Sequence, residues 1–178
     1  MDVDGTPLGD GVFFIAEAGV NHNGDIEMAE DLIAASADAG ADAVKFQTFS
    51  ADRVTAADAE KARYQRERSG GEETQQAMLR RLELNRDEHE RLVSCAERHD
   101  VTFLSTPFDL QSADLLDELG VAAFKIGSGD LTNHPLLEHV ARFGRPMIVS
   151  TGMATMDEVD DAADAIWEAN ADVDVSFL

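Results

Sequence analysis

The sequence predicts an α/β protein of parallel βα units, the opening five to six units of a TIM-type (β/α)8 barrel. Three observations carry this reading. Short apolar runs alternate strictly with amphipathic stretches, which is the pattern of βα repeats on a parallel sheet. Polar and Gly-rich residues follow every apolar run, as at the mouth of a barrel, where each βα loop feeds one site; an open sheet gathers its chemistry at one switch point. The 178 residues fall short of the roughly 250 that a complete barrel takes.

The elements follow in order. Phe13-Phe14-Ile15-Ala16 reads as a buried strand ending at Glu17. Met28 to Ala39 has helical spacing, with Gly40 as its stop. Ala43-Val44-Lys45-Phe46 is the second strand. The polar stretch Ser50 to Glu73, with Ser69-Gly70-Gly71, reads as an inserted loop with some helix. Arg86 to His99 is helical, and Thr102-Phe103-Leu104-Ser105 is the third strand, ending at Thr106-Pro107. Ser112 to Leu119 is a helix closed by Gly120; Ala122 to Ile126 is the fourth strand, ending in Gly127-Ser128-Gly129-Asp130. Pro135 to Phe143 is helical, and Pro146 to Ser150 is the fifth strand, ending in Thr151-Gly152-Met153. Thr155 to Ala169 is helical, with Asp157 and Glu158 near its positive end, and Val173 to Leu178 begins a sixth strand. Residues 1–11 read as an acidic, Gly-rich tail and 12–178 as the partial barrel. No G-x-G-x-x-G follows the first strand.

Composition narrows the function. With 14 Lys+Arg against 36 Asp+Glu, the net charge of −22 disfavours nucleic acid and anionic membrane faces as partners. No apolar run reaches the roughly 18 residues of a membrane span, and no basic-then-apolar leader is visible, so a cytoplasmic protein is expected. Only three lysines occur, Lys45, Lys61 and Lys125, and an acid-rich, lysine-poor surface points to a salt-adapted source, with a mesophilic acidic protein as the alternative. The single Cys95 excludes an intrachain disulfide framework and a Cys-based zinc site, and its helical face makes it a core residue.

The strand ends carry the chemistry: Glu17; Lys45 with Gln47; Ser105-Thr106; Lys125 with Ser128 and Asp130; Ser150-Thr151. Ammonium groups, hydroxyls and backbone N–H groups of Gly-rich turns are what a phosphate or carboxylate ligand needs. Two of the three lysines interrupt apolar strands, where a lysine is costly unless paired. They bind an anion or, on the alternative reading, pair with core carboxylates such as Glu17. Glu17 itself is an acid/base group, a holder of a substrate hydroxyl, or a structural partner of a lysine. His22 reads as a hydrogen-bonding loop residue before a ligand or base. His89, His99, His134 and His139 read as surface or packing residues, and no spacing in the chain supplies a metal site.

Phe14-Ile15-Ala16-Glu17-Ala18-Gly19-Val20-Asn21-His22-Asn23-Gly24 resembles the first-strand signature of the sialic acid synthases (N-acetylneuraminate synthases). Val44-Lys45-Phe46-Gln47-Thr48, Leu104-Ser105-Thr106-Pro107-Phe108-Asp109, Lys125-Ile126-Gly127-Ser128-Gly129-Asp130-Leu131-Thr132-Asn133 and Ser150-Thr151-Gly152-Met153 are similar to that family's next four strand ends, in order. The stretch from Tyr64-Gln65 through Met78-Leu79 to Leu82-Glu83-Leu84 is similar to its linking segment.

The resemblance implies a TIM barrel followed by an antifreeze-protein-like domain, in a domain-swapped homodimer. It implies condensation of phosphoenolpyruvate with N-acetylmannosamine or a related N-acetylated amino sugar, or its 6-phosphate, with a divalent metal such as Mn2+ or Mg2+. By the same resemblance Lys45, Lys125, Thr106, Ser128 and Ser150 bind phosphoenolpyruvate, and Glu17 faces the sugar and the reacting carbons; Gln47 and Asp130 complete the substrate-binding set. The family's metal ligands are two histidines beyond the sixth strand, so they are expected outside this chain, which then corresponds to the N-terminal part of such an enzyme. A catalytically inactive truncated fragment or anion-binding module is the alternative, as is another nonulosonate synthase, for legionaminate or pseudaminate. A 3-deoxy-sugar-acid phosphate synthase is disfavoured by the strand-end motifs.

Overall fold

The computed structural model describes residues 1–9, 11–56 and 74–178. Lys61, the Ser69-Gly70-Gly71 loop and the Tyr64-Gln65 part of the linking segment lie outside the described residues. A two-stranded antiparallel hairpin, β1 (Asp2–Val3) and β2 (Thr6–Pro7), opens the chain. It is followed by β3 (Ile15–Gly19), α1 (Ile26–Asp38), β4 (Ala43–Thr48), α2 (Ala51–Val54) and α3 (Gln75–Arg80). Next come α4 (Arg86–Arg98), β5 (Thr102–Pro107), α5 (Leu110–Leu119) and β6 (Phe124–Ile126). A 3-10 turn at Ser128–Asp130, α6 (His134–Ala141), β7 (Met147–Val149), α7 (Met156–Ala169) and β8 (Val175–Phe177) complete it.

Strands β3 to β8 are all parallel to their ladder neighbours, in the orders β3-β4-β5 and β6-β7-β8. β5 lies beside β6 without a shared ladder. Among the described residues, β3 pairs only with β4 and β8 only with β7. The helices start where their sequences supply caps. Asp25, Asn85, Asp109 and Thr155 each accept backbone N–H groups of the first turn, and Asn85 and Thr155 form reciprocal boxes with Glu88 and Glu158. Gly120 stops α5 in the left-handed region (φ +77°), where a side chain would be strained.

Strand alternation divides the core into two layers. Val44, Phe46, Phe103, Phe124, Ile126, Met147 and Val149 face the helices and pack with Ile33, Leu92, Leu116, Leu137 and Ile166. Ala43, Leu104, Ala123 and Ile148 face the other way and form a small apolar floor with Val3. Here the structure corrects the expected tail at residues 1–11. Its start is a hairpin whose Val3 is fully buried on that floor, with Met1, Leu8, Phe13 and Ile15 against its edges. Covering the apolar side chains at the bottom of the strands is the physical reason it folds back. Cys95 is buried in the outer layer, as expected. No helix among the described residues is long and apolar enough to cross a membrane.

Candidate functional site at the strand ends

Above the floor, the next inward-facing positions are polar. Glu17 and Lys45 are register partners on β3 and β4, and Lys45 Nζ lies 2.7 Å from Glu17 Oε2. From the other side Thr106 Oγ1, on β5, accepts a long hydrogen bond of 3.4 Å from the same ammonium. Lys125, on β6, donates to Ser150 Oγ (2.6 Å) and to the Ile126 carbonyl (2.9 Å). Both lysines are buried, at 9% and 7% exposure, while the Glu17 side chain is half open to solvent. Lys45 and Glu17 both act on the charge of Lys125, so the groups share one volume. Desolvation first, then repulsion by Lys45, lowers the Lys125 ammonium to about 8 against a smaller opposing pull from Glu17.

The alternative of two lysines paired to core carboxylates is therefore half met. Lys45 has Glu17, whereas no carboxylate among the described residues forms an ion pair with Lys125. Gly19 lets the Glu17 carboxylate and the Gln47 amide crowd its backbone: a Cβ there would sit 3.0 Å from Glu17 Oε1 and 3.7 Å from Gln47 Nε2. Ser128 stands against the loop after β7, with its Oγ 3.4 Å from where Gly152 would carry a Cβ. Asp130 is half-buried on the 3-10 turn; burial raises its carboxyl above the ordinary value, opposed by the Asn133 amide at 3.4 Å. It touches neither lysine through a hydrogen bond or ion pair.

Behind the site lie two buried histidines. His22 accepts the Gly24 N–H at Nδ1 (3.0 Å), and its Nε2 has no partner among the described residues. Desolvation, reinforced by His89 and opposed by Glu88, lowers its pKa, so the ring is neutral. Of the surface or packing roles expected for His89, the structure shows packing. It is 1% exposed and bonded to Thr48 at the end of β4, an approach across 41 residues of chain that no local spacing announces.

A groove of about 560 Å³ opens at the opposite end of the strands, beside Asp4, Asp42, Glu97 and Asp100. Its carboxylates repel anions, so the cationic strand ends form the better candidate site. A metal fits neither place by itself: no cluster of three or more His, Cys, Asp or Glu side chains occurs among the described residues, and Glu17 is engaged by Lys45.

The profile of the NeuB family matches residues 32–177. The chain is 46% identical over 157 residues to an N,N'-diacetyllegionaminic acid synthase of Campylobacter jejuni, covering 88% of this chain and 47% of that protein. It is 48% identical over 154 residues to the enzyme of the same name from Legionella pneumophila, covering 86% and 43%. The crystal structure of an N-acetylneuraminic acid (sialic acid) synthetase from Leptospira borgpetersenii, in complex with citrate, superposes with a TM-score of 0.76 at 31% identity, over 96% of this chain and 57% of that one. The chain thus spans about half the length of the relatives it matches.

Proposed function

The chain belongs to the NeuB family, and from that membership and the strand-end geometry we propose that it carries the phosphoenolpyruvate half of a nonulosonate synthase site. The observation that carries the reading is Lys125: a buried ammonium bonded to a hydroxyl and a carbonyl, with no carboxylate ion-paired to it among the described residues. Such a group is ready for an anion.

In this reading Lys125, Ser150 and Ser128 hold one anionic end of phosphoenolpyruvate, and Lys45 with Thr106 holds the other. C3 of the enol attacks the aldehyde carbon of an open-chain N-acetylated amino sugar, forming the C–C bond as the carbonyl π pair moves onto its oxygen, which takes a proton from solvent, and leaving positive charge at C2. Glu17, half exposed beside Lys45, faces that charge and stabilises it or takes the proton of the incoming water. Water adds at C2, and phosphate departs with its bridging oxygen by C–O cleavage. Gln47 and Asp130 border the sugar. The names of the relatives favour a diacetylated legionaminate-type product over N-acetylneuraminate or pseudaminate. The family resemblance implies a divalent metal such as Mn2+ or Mg2+; the described residues do not by themselves form a site for it. A cytoplasmic homodimer is the form the family resemblance supports. The charge of −22 supports a high-salt setting, for which thermal stability must rise into molar salt.

The test is the full-length protein with phosphoenolpyruvate and N-acetylated amino sugars in 18O-labelled water. Label in the product ketone and none in phosphate supports the scheme. Label in phosphate, or Lys125→Ala turning over like wild type, overturns it.

A further inference from the structure

A second polar chain runs on the helix-facing side of β4 and β5, directly behind Lys45 and Thr106. Ser105 Oγ lies 2.7 Å from Thr48 Oγ1, Thr48 Oγ1 lies 2.9 Å from His89 Nε2, and His89 Nδ1 lies 2.9 Å from the Asn85 carbonyl oxygen. All three side chains are buried, at 0%, 3% and 1% exposure. The direction of each bond follows from the ends. A carbonyl oxygen only accepts, so His89 Nδ1 carries the proton. Desolvation, outweighing the Asn85 bond and Glu88, lowers the pKa of His89, so its Nε2 is bare and accepts from Thr48. Thr48, having donated, accepts from Ser105.

This chain is anchored at a fixed point, because Asn85 is the N-cap of α4 and closes a reciprocal box with Glu88. At its other end it joins the outward side chains of β4 and β5 next to the inward ones that matter. Thr48 follows Gln47, Ser105 precedes Thr106, and Gln47 and Thr106 are register partners. The six-pair ladder of β4 with β5 sets the register of the strands; the Lys45–Thr106 contact on the inner face, long at 3.4 Å, does little to fix the two side chains within it.

We infer that His89 is a positioning residue for the anion site: its bond to Thr48 clamps the outer face of β4 and β5 and so places Lys45 and Thr106 on the inner face. The inference rests on the anion-site reading above. His89 touches no ligand. It acts through Thr48 and Ser105, whose own hydroxyls point away from the mouth.

Two conservative variants separate the two bonds of the ring. His89→Gln offers a carboxamide oxygen near the position of Nε2 and keeps an acceptor for Thr48. His89→Asn offers an amide N–H near Nδ1, keeps the bond to Asn85 and abandons Thr48. Thr48→Val and Thr48→Ser form the matching pair from the other side. The readouts are the phosphoenolpyruvate Kd by calorimetry and the melting temperature of each full-length variant. His89→Asn and Thr48→Val are expected to weaken binding on the order of tenfold. His89→Gln and Thr48→Ser are expected to stay within about threefold of wild type. Wild-type affinity in His89→Asn and Thr48→Val overturns the inference. So does an affinity loss in all four that merely follows their melting temperatures. Lys125→Ala is the companion arm. If it too binds phosphoenolpyruvate like wild type, the anion-site reading falls along with the inference. If it loses binding while His89→Asn does not, only the positioning role falls.

Discussion

Lys45 and Glu17 face each other across two parallel strands with 2.7 Å between ammonium and carboxylate, while Lys125 has no ion-paired carboxylate among the described residues. Two lysines that look equivalent in sequence are therefore unequal in charge balance. Lys45 is largely neutralised by its partner, and Lys125 supplies the net attraction for an anion.

Lys125 makes binding and stability respond to pH in opposite senses. Its folded value of about 8 lies below the ordinary 10.5. Between those values the unfolded chain holds the extra proton, so stability rises with pH; below about 8 both states are charged and the burial penalty is fully present. Anion binding needs the ammonium form, so phosphoenolpyruvate affinity is expected to fall about tenfold per pH unit above that point. Calorimetric titrations from neutral to strongly alkaline pH check it. A constant Kd removes Lys125 from the site.

Glu17→Gln keeps the shape of the side chain and removes the partner of Lys45. The site becomes more positive, so phosphoenolpyruvate should bind as well as before or more tightly. Turnover should drop roughly a hundredfold, the usual scale of a lost acid/base or electrostatic group. Steady-state kinetics decide: kcat within about twofold of wild type makes Glu17 a strut for Lys45 and nothing more.

Asp109 ties two mouth loops together. Its carboxylate accepts from Ser50 N (3.2 Å), Arg53 Nε (2.8 Å), Ser112 N (2.9 Å) and Ser112 Oγ (2.7 Å). Burial alone would raise its pKa, but the donors of Ser112, Ser50 and Arg53 outweigh it and hold the carboxyl below its ordinary value. A depressed folded pKa stabilises above the unfolded value and is lost as pH falls through the folded one. Asp109→Ala should cost about 2–4 kcal/mol in denaturant unfolding at neutral pH. The gap between variant and wild type should narrow as the acid range is entered; a gap that widens there contradicts the assignment.

Gly24 sits at φ +80°, and a Cβ on it would collide with the Arg81 carbonyl oxygen. Gly40 has φ +81° with nothing within 4 Å of its would-be Cβ. Gly40→Ala should cost only the backbone strain, about 1–2 kcal/mol. Gly24→Ala adds a steric clash with main chain and should lose about 2–5 kcal/mol. Equal melting temperatures for the two variants would mean that the segment around Arg81 gives way freely.

Much of this arrangement was legible because alternation does two jobs at once. Val44, Phe46, Phe124 and Ile126 mark the helix-facing side, so Lys45 and Lys125 between them had to point inward. The strand ends named their polar groups for the same reason. What local pattern does not contain is which inward groups meet. The Glu17–Lys45 pair depends on the register of β3 against β4, and the Thr48–His89 bond joins residues far apart in the chain. The hairpin at Asp2–Val3 and Thr6–Pro7 escaped because each strand is two residues long and only Val3 reaches the floor. Helix α3 escaped because it has no buried residue to give it a periodic apolar face.

That hairpin gives the molecule a top and a bottom that an experimenter inherits. A tag or fluorescent partner joined ahead of Met1 emerges beneath Val3, at the end away from Lys125, so immobilisation through it leaves the opposite end of the strands unobstructed. Trimming the first eight residues is a different operation. It strips the cover from Ala43, Leu104, Ala123 and Ile148 and admits water from below, directly under the inward row that holds the two ammonium groups.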